Sequence, residues 1–397
     1  MPNFLKQAQE LFPYTQTMRR DFHMHPELGF TEVRTGGIVA KELETLGIEV
    51  TKGVGKTGVV GLIEGSKPGP TILLRFDMDA LPITEDTGAE YTSTNPGIMH
   101  ACGHDGHTAI GLTVAKMLHG HREELAGNIK LCFQPSEEGF NGEDMGGNLM
   151  MIRDGVLDGP KVEKSLSLHL WNDKPIGWIH IGKGPVMAGA ELFTIKLTGK
   201  GGHGAAPDTT IDPIVAAAQM VTALQTIASR NVPPLKSCVV SVTSIHSGTT
   251  FNVIPQTAEL LGTIRTFDLE VRQMVLERFG QIVRSTAEAM GCAVEFETKR
   301  VTPAVINNEE VTASVFKSAQ ALLPNMEVDT ESYLTMGAED MGYMQEKVDG
   351  CYFMIGSANN EKHLNYNHHH PKFDFDEQAL ITGAALMATA AADLLKA

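Results

Sequence analysis

The sequence has 397 residues, of which 42% are hydrophobic and 20% are charged, as in an ordinary globular protein. This length exceeds what one hydrophobic core usually serves, so it predicts two domains. The formal net charge of -16 argues against nucleic acid or an anionic membrane as a partner, and no apolar run is long enough to cross a bilayer.

The N-terminal segment and the cysteines indicate a cytoplasmic location. Residues 1–30 have no uninterrupted apolar stretch after a basic start, so they are typical of an amphipathic helix and not of a signal peptide. The cysteines are odd in number and lack the spacing of a disulfide framework: Cys102, Cys132, Cys238, Cys292 and Cys351. Only Cys102 lies among other possible metal ligands, and the others are typical of small core residues.

Short apolar runs alternate with helical patterns in the first half of the chain. Runs rich in Val, Ile and Leu predict buried strands at 58–65, 71–80, 128–139 and 165–172. Residues 107–125 carry apolar side chains at helical spacing and predict a helix. Strands that alternate with helices predict an α/β domain with a layered α/β/α sheet and with functional sites at the strand ends.

The pattern changes near Met187, after which strands show alternating apolar and polar residues. The predicted order is strand 190–202, helix 211–230, strand 238–248, strand 257–267, helix 269–291 and strand 292–300. This is the β-α-β-β-α-β order of a ferredoxin-like α+β unit. The chain then returns to the first pattern, with a strand at 351–357 and a helix at 376–397. The sequence therefore predicts a catalytic metal-binding domain formed by residues 1–186 and 304–397, with residues 187–303 inserted into it.

Metal-capable side chains are densest in HACGHDGH, residues 100–107, which contains His100, Cys102, His104, Asp105 and His107. Cys-x-His can bind a metal where the thiolate and the imidazole converge, and the glycine between them allows a tight turn. A lone Cys-x-His is more often a polar cap at a helix start. The density of ligand types, and the preceding strand with Asp77 and Asp79, favour a metal site.

Two adjacent carboxylates, Glu137 and Glu138, lie at the end of the predicted strand segment 128–139, in FQPSEEG. Consecutive residues at a strand end point in opposite directions, so the two can do different work. One can ligate a metal while the other acts as a general base on water. The alternative is a solvated acidic turn, which the buried strand before the pair disfavours.

Histidines supply the remaining candidate ligands. His169 lies inside an apolar run, where a histidine is usually a hydrogen-bonded core residue. His368, His369 and His370 precede a proline and cannot all ligate one ion, so one of them is the expected ligand. The full set exceeds the needs of one tetrahedral zinc and predicts two divalent ions, for which zinc, manganese, cobalt and nickel are all suitable.

Together these motifs resemble the aminoacylase/carboxypeptidase superfamily of dinuclear metallopeptidases. The resemblance is to its N-acyl-L-amino-acid amidohydrolase branch, which includes hippurate hydrolase and auxin-conjugate hydrolases. It covers nearly the whole chain through RRDFHMHPELGF, RFDMDALP, HACGHDGH, FQPSEEG, GKGGHGAAP, FNVIP, GTIRTF, MGAEDM and HHPKFDFDE. The resemblance implies metal-dependent hydrolysis of N-acetyl or N-benzoyl amino acids to a carboxylic acid and a free amino acid. A dinuclear metal dipeptidase or carboxypeptidase of the same superfamily is the alternative.

The resemblance also implies residue roles. Glu137 would be the general base for a water that bridges two metal ions, and Asp79 would orient a ligand or the ions. Many members have His-x-Asp where this chain has Asp77-Met-Asp79, and here Cys102 would take the bridging role, which disfavours a general dipeptidase. Of the three adjacent histidines, the one two residues before the proline is favoured, and His368 and His370 remain alternatives. The implied ligands are Cys102, His104, Glu138, His169 and His369.

For the inserted segment, the resemblance implies a lid and dimerisation domain. His203 would reach the active site of the neighbouring subunit and stabilise the oxyanion, and Asn252 and Arg265 would hold the carboxylate of a small-molecule substrate. The alternative is that His203 and Asn252 are turn residues and Arg265 lies on a solvated strand. The expected assembly is a homodimer, with a tetramer as the alternative.

Overall fold

A computed structural model describes residues 2–139, 143, 145–331 and 333–396 of the chain. The chain forms two compact units. Unit 1 comprises Met1–Val186, Ile306–Tyr333 and Asp340–Ala397, and unit 2 comprises Met187–Val305 and Leu334–Glu339. Each unit has its own hydrophobic core.

The helices begin and end at residues typical of helix boundaries. Asn3 caps the first helix by accepting the N–H of Lys6, and the Asp212–Pro213 pair begins the fifth, as the sequence predicts. In the described residues the α-helices are α1 (Phe4–Met24), α2 (Val33–Thr45), α3 (His104–Gly120), α4 (Gly147–Arg153), α5 (Pro213–Thr226), α6 (Leu269–Ala289), α7 (Glu309–Leu322), α8 (Met341–Gln345) and α9 (Ala379–Leu394).

The strands form two main sheets and two short two-stranded pairs. Their bounds in the described residues are β1 (Glu49–Val54), β2 (Gly58–Glu64), β3 (Lys67–Asp77), β4 (Ala126–Gln134), β5 (Lys164–Pro175), β6 (Trp178–His180), β7 (Gly184–Met187), β8 (Gly189–Thr198), β9 (Gly202–His203), β10 (Cys238–Ser247), β11 (Val253–Ile254), β12 (Thr257–Thr266), β13 (Ala293–Thr302), β14 (Val305–Asn307), β15 (Glu327–Asp329) and β16 (Asp349–Ala358).

The central sheet of unit 1 has the order β1-β2-β4-β3-β5-β16-β6-β15. Strands β4, β3, β5 and β16 run parallel, so their carboxyl ends meet at one edge of the sheet. Helix α3 lies very close to this sheet: a Cβ on Gly111 would stand 2.7 Å from the rings of Phe76 and Phe133. The predicted mixed α/β fold with a central sheet is confirmed. In open sheets of this kind, functional sites lie beyond the carboxyl ends of the strands.

Unit 2 has the predicted β-α-β-β-α-β order, formed by β8, α5, β10, β12, α6 and β13. Its antiparallel sheet has the order β10-β12-β8-β13, as in ferredoxin-like folds. Alternate residues of β8 are buried, because one face of the sheet packs against helices α5 and α6. Phe193 and Phe279 meet in this core with ring centres 4.7 Å apart.

Candidate metal centre and active site

A left-handed turn places Cys102 and His104 at the start of α3. Gly103, the residue before the helix, has a φ of 93°, which glycine adopts without strain. The sequence predicted this helix from residue 107, but it begins at His104. The first turn is polar, so apolar periodicity did not reveal it. Both Cys102 and His104 are buried.

Asp79 orients two of the predicted ligands. The Nδ1 of His104 lies 2.9 Å from the main-chain oxygen of Asp79, which can only accept, so Nδ1 carries the hydrogen. The Nε2 of His104 is the remaining ring nitrogen, and it is buried without a hydrogen-bond partner among the described residues. The Asp79 carboxylate also accepts the N–H of Glu138 at 2.9 Å. One residue thus fixes the ring of His104 and the backbone of Glu138.

The two adjacent carboxylates have different neighbours. Glu138 Oε1 lies 3.1 Å from Nε2 of His369 and 3.9 Å from Nε2 of His104. Glu137 Oε1 accepts the main-chain N–H of Asp340 at 3.3 Å. Both glutamates are half-buried. The two carboxylates thus have different surroundings, and the predicted division of ligand and base functions between them stays a prediction.

His169 projects from β5 toward the thiol of Cys102. Its Nδ1 donates to the main-chain oxygen of Leu170 at 2.7 Å, and its Nε2 lies 3.5 Å from Cys102 Sγ. Burial, followed by the charges of His107 and His368, lowers the pKa of His169 well below its ordinary value. The ring is therefore neutral, which is the form that ligates metals.

The three adjacent histidines make different contacts. His369 has a left-handed φ of 66°, and its Nε2 lies 3.1 Å from Glu138 Oε1. The Nε2 of His368 accepts the N–H of Asn172 at 3.2 Å. The ring of His370 stacks on the ring of Tyr366, with ring centres 4.6 Å apart. Of the three, His369 is the one that the structure brings to the carboxylates.

The other metal-capable residues of 100–107 belong to different contacts. Possible metal-ligand atoms of His107, Asp77 and His104 lie within 4.8 Å of one another, but both ring nitrogens of His107 already form hydrogen bonds. Its Nδ1 donates to Asp77 at 2.6 Å and its Nε2 accepts the N–H of Leu170 at 3.0 Å. Asp105 forms a buried ion pair with Arg19 of α1. His100 is buried away from hydrogen-bond partners among the described residues, and burial lowers its pKa to about 4.

Two groups of three donors share one thiol. In each group the donor atoms all lie within 4.8 Å of one another, and the groups are Cys102, His104 and His169, and Cys102, Glu138 and His369. Thiolate, imidazole and carboxylate are ligand types that zinc and similar divalent ions accept, so these residues would hold the ions. The arrangement is consistent with two divalent cations.

The electrostatics of this cluster also suit cations. Burial, followed by the charges of Glu138 and Glu137, raises the pKa of the Cys102 thiol well above its ordinary value. Burial opposes a charge on His104, but the charge of Asp77 and the hydrogen bond with Asp79 raise its pKa to about 10. The site therefore favours positive charge, and a metal ion would supply it while stabilising the thiolate.

Behind the cluster lies a buried polar network that the sequence did not predict. Arg75 donates to Gln134 at 2.7 Å, to Asp77 at 2.7 Å and to Asp340 at 3.0 Å. Asp340 also accepts the main-chain N–H of Asn148 at 3.1 Å. The network connects the ends of β3 and β4 to Asp340, whose main-chain N–H contacts Glu137. The motifs RFDMDALP and MGAEDM contain Arg75 and Asp340, but nothing in their spacing indicates this contact.

Within unit 2, the structure brings two predicted residues together and leaves the third apart. His203 is exposed on β9, which pairs with β11 immediately after Asn252. The N–H of Gly204 donates to the main-chain oxygen of Asn252 at 2.8 Å. Arg265 lies on β12 and is half-buried, and its Nη1 is buried without a hydrogen-bond partner among the described residues. Burial lowers the pKa of Arg265.

Residues 73–393 match the sequence profile of Peptidase family M20/M25/M40. The chain belongs to this family. The ligand types at the strand ends of unit 1 thus lie within the region that defines it.

Curated relatives of this M20 chain are hydrolases that act on amides or peptides. A protein of Saccharolobus solfataricus named thermostable carboxypeptidase 1 is 41% identical over 380 residues, which cover 95% of this chain and 94% of the relative. A Bacillus subtilis protein named N-acetylcysteine deacetylase is 39% identical over 380 residues, which cover 96% of both chains. The family resemblance inferred from the motifs is confirmed.

A solved structure of the Bacillus subtilis YXEP protein is similar to this M20 chain along nearly its full length. That protein is described as a dinuclear metal-binding peptidase from the M20 family. The TM-score is 0.85 at 35% identity, and the match covers 98% of this chain and 99% of that chain. As for membranes, none of the helices in the described residues combines the length and apolar character needed to span one.

Proposed function

We propose that this M20 hydrolase cleaves the amide bond of N-acyl-L-amino acids and releases a carboxylic acid and a free amino acid. The observation that carries the proposal is the pair of donor groups sharing Cys102, with Glu137 beside them. The relative named N-acetylcysteine deacetylase supports an N-acyl substrate. The relative named carboxypeptidase favours a second candidate, hydrolysis of peptides at their carboxyl end.

The metal ligands would be Cys102, His104, Glu138, His169 and His369. When bound, two divalent cations lower the pKa of water and polarise a carbonyl group. Glu137 takes a proton from the water that attacks the acyl carbon, and it later delivers this proton to the leaving nitrogen. The N–H of Asp340 contacts Glu137 Oε1 and keeps the carboxylate beside the ligands. Asp79 orients His104 and Glu138 through the contacts described above.

Unit 2 supplies the remaining proposed roles. Arg265 has a buried donor that no described residue uses, and a guanidinium matches the planar carboxylate of an amino acid. Asn252, which lies beside His203 and apart from Arg265, would reach the same carboxylate from the neighbouring subunit. His203 would donate a hydrogen bond to the oxyanion in the active site of the neighbouring subunit of a homodimer. We also propose a cytoplasmic enzyme, since all five cysteines are free.

A substrate panel tests the proposal. Purified enzyme would be stripped of metal, reloaded separately with zinc, manganese, cobalt or nickel, and supplied with N-acetylcysteine, N-benzoylglycine and dipeptides that have a free α-amino group. Released amino acid is measured by chromatography. We expect activity only after reloading, and a higher kcat/KM for the N-acyl substrates.

The control is the Glu137→Ala enzyme loaded with the same metal, which excludes a contaminating hydrolase. Preference for substrates with a free α-amino group would favour the carboxypeptidase or dipeptidase candidate. Full activity in exhaustively demetallated enzyme would contradict the metal-dependent mechanism.

A further inference from the structure

Glu32 precedes helix α2 but does not cap it. Its side chain makes no hydrogen bond to the first turn of the helix. Glu27 performs this function instead, because its two carboxylate oxygens accept the N–H groups of Arg34 and Thr35 at 2.9 and 2.8 Å. The Glu32 carboxylate is therefore available for another contact.

That contact is with the segment that carries the two catalytic-site glutamates. Glu32 Oε1 accepts the main-chain N–H of Ser136 at 2.9 Å, and Oε2 accepts the hydroxyl hydrogen of Thr57 at 2.6 Å. Glu32 is 0% exposed, and the charges and hydrogen bonds that act on it among the described residues include no basic side chain. A carboxylate buried without a cation carries a desolvation cost, which helix capping does not offset here.

Ser136 is in a conformation that its surroundings must hold. Its φ is 46°, in the left-handed region that a residue with a side chain adopts at a cost. Its main-chain oxygen accepts the N–H of Gly147 at 3.0 Å. A Cβ on Gly147 would stand 1.7 Å from the main-chain oxygen of Pro135, so the turn is confined on that side as well.

We propose that Glu32 is a positioning residue, which acts through Ser136 to fix the carboxylate of Glu137. The inference rests on the proposed role of Glu137 as general base. Glu138 has its own anchor, because its N–H donates to Asp79. Loss of the Glu32 contact should therefore displace Glu137 while the metal ligands remain in place.

The test compares Glu32→Ala and Glu32→Gln with Glu27→Ala, a matched carboxylate that also accepts two hydrogen bonds. Using the substrate that the panel identifies, we expect Glu32→Ala to lower kcat by roughly 10–100-fold with KM and bound metal unchanged. The amide oxygen of Glu32→Gln can still accept the N–H of Ser136, so this variant should recover most of the kcat. Glu27→Ala should lower the melting temperature and leave kcat unchanged.

Hydrogen–deuterium exchange gives a readout that is independent of turnover. In Glu32→Ala the amide of Ser136 should exchange faster, and in Glu32→Gln it should remain protected. Thr57→Val removes only the second contact of Glu32, and it replaces Glu32→Ala as the test variant if Glu32→Ala does not fold. In that case the kcat of Thr57→Val should fall while the bound metal is retained.

Three outcomes would overturn the inference. The first is an unchanged kcat in Glu32→Ala, or in Thr57→Val if that variant replaces it. The second is loss of metal together with activity, and the third is an equal loss of kcat in Glu32→Ala and Glu32→Gln. Full activity in Glu137→Ala would instead refute the proposed base, and the exchange of Ser136 would still report whether Glu32 holds the turn.

Discussion

Replacement of Arg19 tests how the N-terminal helix stabilises unit 1. The Arg19 side chain is 0% exposed and forms ion pairs with Asp105 at 2.9 Å, Asp374 at 2.7 Å and Glu377 at 3.3 Å. Arg19→Met removes the cation but leaves the three carboxylates in place. Glu377 keeps Arg20 as a partner, but Asp105 and Asp374 lose the guanidinium that they face in a buried site, so the variant should be strongly destabilised.

Breaking a buried ion pair by removing one partner costs about 3–5 kcal/mol. This is a large part of the total stability of a domain, which is about 5–15 kcal/mol. At roughly 2 °C per kcal/mol for a unit of this size, the melting temperature should fall by about 6–10 °C. The neighbouring Arg20 has a side chain that is 37% exposed and pairs with Glu377, so Arg20→Met should cost no more than about 1 kcal/mol.

The assay is thermal unfolding of both variants with and without bound metal, together with the metal content after dialysis. Asp105 directly follows His104, and Asp374 lies shortly after His369, so Arg19→Met should also weaken metal retention. Equal melting temperatures for Arg19→Met and Arg20→Met, within about 2 °C, would refute the idea that the buried pairs hold these segments.

Three further predictions concern the proposed roles. Glu137→Ala should lower kcat by about 10²–10⁴-fold with metal content near wild type, whereas Glu138→Ala should also lose metal. If elemental analysis shows metal loss in Glu137→Ala and not in Glu138→Ala, the two proposed roles are exchanged. Arg265→Ala should lower kcat/KM for N-acyl amino acids by roughly 10–100-fold and affect the corresponding carboxamides little; equal losses in steady-state kinetics would contradict the carboxylate contact. If Glu137 and His203 act from different subunits, co-expressed Glu137→Ala and His203→Ala chains should recover about a quarter of wild-type activity. Isolated mixed dimers without recovery would exclude His203 from the neighbouring site.

The sequence predicted the fold well because its signals are local. Apolar runs rich in Val, Ile and Leu predicted β2, β3, β4 and β5, and the alternation after Met187 predicted the order of unit 2. The start of α3 was placed three residues late, since His104 and Asp105 are polar although both are buried. Polarity in the sequence indicates exposure only where a side chain lacks a buried partner.

The supporting contacts of the site could not be predicted, because they join distant parts of the chain. Glu32 meets Ser136 across 104 residues, and Arg19 meets Asp374 across 355 residues. A motif such as RRDFHMHPELGF shows which residue types are present but not which carboxylate faces which amide. Those pairings follow from the packing of α1 and α2 against the rest of unit 1, which periodicity does not specify.

The donors around Cys102 are spread along the chain, and this has a consequence during translation. At about 5–20 residues per second, the ribosome needs roughly 15–50 s between synthesising Cys102 and synthesising His369. Strand β16, which pairs with β5 inside the central sheet, is also made late. The nascent chain therefore exposes a thiol, two histidines and an unfinished sheet edge while unit 2 is being made.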